Sequence, residues 1–85
     1  MVLTVEVSMY PFSENYRNLI RAFATKLTSC EGLRVTTGLT STVVVGEYER
    51  VMQALTEMFR WNQGEHARAA FVAKFIPDYD ADQAT

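Results

Sequence analysis

Val2-Leu3-Thr4-Val5-Glu6-Val7-Ser8-Met9-Tyr10 changes chemical character at almost every step, and that alternation decides the fold. Leu3, Val5, Val7 and Met9 fall on one side of an extended chain, and Thr4, Glu6, Ser8 and Tyr10 on the other. This is the period of two of a strand packed on one face only. Pro11, which has no N–H to donate, ends it. Such a strand needs an apolar layer on one side and leaves the other to solvent or a partner.

Working outward, Ser13 is the expected N-cap of a first helix, whose stripe is Tyr16, Leu19, Ile20, Phe23 and Leu27 at three-and-four spacing. The helix is expected to run to about Ser29 or Cys30, where Gly32 breaks it. Leu33 to Thr37 alternates again, Gly38 marks a turn, and Thr42 to Val45 is a β-branched run, so the two read as a hairpin. After Gly46, Glu47 and Glu49 place negative charge in the first turn of a second helix, where the macrodipole favours it. Its stripe is Tyr48, Val51, Met52, Leu55 and Phe59, and it is expected to end between Asn62 and Gly64. Trp61 at that end is expected to close the core rather than to form a surface patch. Ala67 to Ile76 is the last strand, with Ala69, Phe71, Ala73 and Phe75 on one side and Arg68, Ala70, Val72 and Lys74 on the other. Pro77 stops it.

The order βαββαβ, with right-handed crossovers, predicts an α+β domain of the ferredoxin-like type. In it a four-stranded antiparallel sheet carries both helices on one face, with the first and third strands central. The domain is expected over residues 1–77, and residues 78–85 form an acidic tail, read as frayed or as an arm lying on a partner.

Composition narrows the function classes. Eighty-five residues, 48% hydrophobic and 21% charged, suffice for one core. A net charge of −2 argues against nucleic acid or an anionic membrane as partner. Cys30 is the only cysteine, which rules out an intrachain disulfide and a Cys-x-x-Cys site. The absence of a leader pattern and of a long apolar run makes a cytoplasmic location the expectation. Neither a metal nor a cofactor is expected. His66 has no second ligand at a suitable spacing and reads as a surface residue, while the serines lack a nucleophile elbow and the glycines any phosphate-binding pattern. No enzymatic activity is therefore expected.

Attention falls on the open face. Thr4, Glu6, Ser8 and Tyr10 lie there, joined from the flanking strands by Arg34, Thr36, Arg68, Val72 and Lys74. Leu3, Val5, Val7, Phe71 and Phe75 are assigned to the covered side. A carboxylate in mid-sheet must meet a donor if anything caps it, so Glu6 is the candidate ligand contact. The sequence equally allows Glu6 and Ser8 to be solvated or paired with Arg34 or Arg68 across the strands.

Three stretches carry a resemblance: Val7-Ser8-Met9-Tyr10-Pro11, Leu39-Thr40-Ser41-Thr42-Val43, and Gly46-Glu47-Tyr48-Glu49-Arg50-Val51-Met52. Together, over about residues 2 to 76, the chain resembles the YkoF-like family, small proteins that bind thiamine or its hydroxymethylpyrimidine precursor. Phe12 stands where that family usually has leucine. The resemblance implies a homo-oligomer, dimer or tetramer, holding its ligand on the sheet between two units. It also implies that Ser8, Tyr10, Thr40, Ser41 and Thr42 lie near the pocket. Independently, an aminopyrimidine offers an amino donor beside a ring-nitrogen acceptor, which Glu6 with Ser8 or Ser41 could match, while Tyr10 offers a ring for stacking. The competing expectation is a structural or regulatory homo-oligomer with no small-molecule ligand.

Overall fold

In a computed structural model describing residues 1–65 and 68–83, the alternating segment forms β1 (Val2–Pro11). It is followed by α1 (Tyr16–Thr28), β2 (Arg34–Thr37), β3 (Thr42–Glu47), α2 (Tyr48–Glu65) and β4 (Ala69–Pro77). The expectations for His66, for Ala67 as the start of the last strand, and for Ala84 and Thr85 of the tail lie outside the described residues. The sheet order is β2-β3-β1-β4, every pair antiparallel, so the fold is the ferredoxin-like α+β arrangement with β1 and β3 central.

The apolar face of β1 is the floor of the core: Leu3, Val5, Val7 and Met9 are all buried. Val44 of β3 stands beside Val5, and the stripes Leu19, Phe23, Leu27 and Val51, Leu55, Met58 close over them. Phe71 of β4 lies between Phe23 and Phe59, ring centres 5.1 and 4.8 Å away. Trp61 packs on the core margin beneath the Lys26 ammonium, 5.9 Å from its ring, as expected of a residue that closes the helix layer.

Gly46 sits at a close approach of sheet and helix layer. It pairs with Leu3 on the helix side, and a Cβ there would come 2.9 Å from Leu33 Cδ2, 3.2 Å from the Gly32 carbonyl and 3.3 Å from Val51 Cγ2. Gly46→Ala is expected to destabilise the domain by about 1–3 kcal/mol, read as a lower urea midpoint at unchanged slope.

Four local expectations are corrected. Helix α1 starts at Tyr16, and Ser13 does not cap it: the Ser13 hydroxyl accepts the Asn15 N–H at 3.0 Å in the turn leading from sheet to helix layer. Glu47 stays in β3 opposite Val2, leaving only Glu49 in the first turn of α2. Phe75 shares the core side with its partner Val5 yet is 47% exposed, because edge strand β4 reaches past the cover of α2 there. Tyr16, Ile20, Met52 and Phe59 are likewise exposed at the flanks of stripes wider than the layer can cover.

Candidate functional site

The pairing register sorts the open face into rows. Arg34, Val45, Thr4 and Ile76 form one row, and Thr36, Val43, Glu6 and Lys74 the next. Ser8 with Val72 and Tyr10 with Ala70 follow toward the far end of β1.

Glu6 is the centre. Its Oε1 lies 3.1 Å from Lys74 Nζ, its Oε2 accepts the Ser41 hydroxyl at 2.9 Å, and its side chain remains 40% exposed. The Ser41 hydrogen bond, then Lys74, holds the carboxyl below its ordinary value of 4.5. A depressed carboxyl contributes stability that is complete above its unfolded value and is lost as pH falls through the lowered folded one. Glu6 should therefore stay ionised, paired with Lys74, from about pH 5 to 8. An NMR titration of the Glu6 carboxyl is expected to show a midpoint below 4.5, and one above it would contradict this geometry.

Ser8 is beside it but turned aside: its hydroxyl donates to the Thr40 carbonyl at 3.2 Å and ties the 38–41 loop to β1. The same loop is closed by the Gly38 N–H on the Ser41 carbonyl, 2.8 Å, which steadies the serine that meets Glu6. Tyr10 is 55% exposed and lines, with Met9, Pro11, Tyr16, Ile20, Leu39 and Thr40, a groove of about 410 Å³ at the end of the sheet. Thr42 pairs with Val7 and is 6% exposed; with Thr40 and Ser41 it lines a cavity of about 70 Å³ whose other walls include Val7, Met9 and Phe23.

Of the six residues singled out in the sequence, the fold thus gathers Glu6, Ser8, Tyr10 and Ser41 on the open face, sets Thr40 at its rim, and turns Thr42 to the core. Lys74 was missed as the partner of Glu6, since the cross-strand candidates were Arg34 and Arg68. The pairing follows from the β1–β4 register, which a one-residue slip would change.

Residues 78–83 were missed altogether as part of this face. Asp78 takes a left-handed φ of 56° and bonds the Val2 carbonyl at 2.7 Å, turning the chain back over the sheet. The Thr4 hydroxyl donates to the Tyr79 carbonyl at 2.6 Å and accepts the Ala81 N–H at 3.1 Å. Arg34 meets Asp80 at 2.7 Å and Asp82 at 3.5 Å. Thr4 and Val45 are consequently 2% and 1% exposed on a face that is otherwise open. Over its described residues this segment is a strap over its own sheet and not a frayed tail.

Among the described residues no group of three metal-ligating side chains occurs, and no helix is long and apolar enough to cross a membrane.

The fold and the polar open face define a small ferredoxin-like domain, and similarity to known proteins is found at the level of structure. No family model and no curated protein matches the chain. A Thermotoga maritima structure described as a "putative thiamine biosynthesis/salvage protein" is similar over 100% of this chain and 90% of its own, at 25% identity and a TM-score of 0.81. A Streptococcus pneumoniae protein gives a TM-score of 0.82 at 17% identity, covering 93% of this chain and 89% of its own. The domain of unknown function DUF77 from Bacillus cereus gives 0.71 at 16% identity, covering 100% and 82%. The last two likenesses establish the fold alone.

Proposed function

We propose that this chain binds thiamine or a related hydroxymethylpyrimidine, without converting it, on the open sheet face between two copies of itself. The observation that carries the reading is Glu6: an ionised carboxylate, still two-fifths exposed, steadied by Ser41 and Lys74 in mid-sheet. Its free lone pairs suit the amino group of an aminopyrimidine, and the Ser41 hydroxyl suits the adjacent ring nitrogen once it turns its single proton from Glu6 to the ligand. The thiamine-related description of the Thermotoga neighbour supports the same class of ligand. A carboxyl held below its ordinary value is a weak base at neutral pH, which favours recognition over proton abstraction. Val72 and Tyr10, 63% and 55% exposed in the rows beyond Glu6, offer apolar surface for a second copy to cover in a dimer or tetramer.

Calorimetry with thiamine and with hydroxymethylpyrimidine, alongside sedimentation, tests the proposal. Saturable heat from either ligand, on a dimer or larger species, is the expected result. No heat and no thermal shift at millimolar ligand would remove it. One observation favours the second reading, a homo-oligomer without a ligand: Lys74 already satisfies part of Glu6 within the chain. That reading expects Glu6→Gln to leave self-association and ligand titrations alike unchanged.

A further inference from the structure

The strap brings two carboxylates to a cation on the ligand face itself. Asp80 and Asp82 hold the Arg34 guanidinium, whose side chain is still 47% exposed, and Asp80 also caps its own turn by accepting the Asp82 N–H at 3.0 Å. Arg34 stands one row from Glu6 and two strands across, which puts their Cα atoms about 12 Å apart at ordinary sheet spacings. The sheet residues between them are Val43, Val45, Thr36 and Thr4, none of them charged, and the strap lies over Thr4 and Val45.

Resting on the pyrimidine reading above, we infer that Arg34 is an anion subsite of the same site. It takes the phosphate of a phosphorylated pyrimidine, and Asp80 and Asp82 occupy it in the ligand's place until that phosphate displaces them. A guanidinium offers the same forked donors to phosphate as to carboxylate, so the strap carboxylates satisfy the geometry a phosphate would use. A ligand with its amino group on Glu6 and a phosphate several bonds away spans the separation of the two rows.

Exchange is chemically reasonable at this place. Lys74, the other described cation beside Glu6, is committed to that carboxylate in mid-sheet, whereas the partners of Arg34 belong to a short segment anchored by Thr4 and the Asp78 turn. Tethered carboxylates compete at an effective concentration of order millimolar, so a singly anchored phosphate loses to them and a ligand also held at Glu6 can win. The strap thereby selects ligands that carry both groups. Lifting it also frees the Thr4 hydroxyl, which it covers, as a further donor beside Arg34.

The test compares thiamine, thiamine monophosphate and inorganic phosphate on wild type, on Asp80→Asn with Asp82→Asn, and on that double variant carrying Arg34→Gln, with thermal melts to confirm folding. In the double variant the dissociation constant for thiamine monophosphate is expected to fall about tenfold, while that for thiamine stays within about twofold. Arg34→Gln should cancel the gain. Inorganic phosphate alone should shift the Arg34 side-chain N–H resonance saturably in the double variant. Unaltered affinity for the ester together with no phosphate-induced shift at Arg34 overturns the subsite, whatever thiamine does. Phosphate binding at Arg34 with no response to thiamine supports the subsite and removes the pyrimidine reading instead, so the two failures are distinguishable.

Discussion

Glu6→Gln is expected to weaken thiamine binding at least about tenfold, because a charge-assisted hydrogen bond becomes a neutral one. The substitution keeps the side chain's size and an oxygen that can still accept from Ser41, so packing on the open face is preserved. Two things change together. The ligand's amino group loses its anionic acceptor, and Lys74, now without a carboxylate at 3.1 Å, presents an uncompensated ammonium to a cationic thiazolium. Hydroxymethylpyrimidine lacks that cation and should lose less, so the ratio of the two losses separates the hydrogen bond from the charge. Calorimetry on both ligands supplies the measurement. Equal affinity for the variant and wild type would place the ligand elsewhere.

Leu27→Ala carries the largest expected loss of stability. Leu27 is 0% exposed at the last buried turn of α1, where its side chain enters the core formed with β1 and α2. Truncation removes buried methyl groups and leaves a cavity that a close-packed core fills only in part, at a cost of about 2–5 kcal/mol. In a domain of this size that is a large share of a total of roughly 5–10 kcal/mol. The melting temperature should fall by at least about 8 °C, since each kcal/mol shifts it by about 4–8 °C. Thermal unfolding followed by circular dichroism checks this, and a loss under about 1 kcal/mol would mean that α1 does not seal the core as described. The open face lies across the sheet from Leu27, so ligand affinity measured well below the melting point should be unaffected.

Much of the architecture was legible because local pattern and global fold agree. The alternation from Leu3 to Met9, the two helical stripes and the β-branched run at Thr42 to Val45 each demand one apolar side, and a four-stranded sheet under two helices satisfies all of them at once. The misreadings have a common origin. Ser13 and Glu47 have the right chemistry for a helix start, but the length of chain needed to cross from sheet to helix layer moved the start to Tyr16 in one case, and pairing with Val2 kept Glu47 in the sheet in the other. Phe75 alternates correctly and faces the core side, yet alternation says nothing about how far a helix extends over an edge strand.

At the candidate site the limit was register. Alternation alone puts Glu6, Ser8 and Tyr10 on the open face, whereas what each of the three consecutive hydroxyls Thr40, Ser41 and Thr42 meets is set by the loop that enters β3. The long-range partners, Lys74 for Glu6 and Asp80 with Asp82 for Arg34, are separated from them by more than forty residues in every case.

Which faces are apolar and in what order the elements follow can be read along the chain, since burial periodicity is a property of neighbouring residues. The pairing of Lys74 with Glu6 and the closure of residues 78–83 over Thr4 and Val45 emerge from the assembled sheet. Those contacts depend on strand register and on one left-handed turn at Asp78, quantities set by the packing of the whole sheet and not by any short stretch of chain.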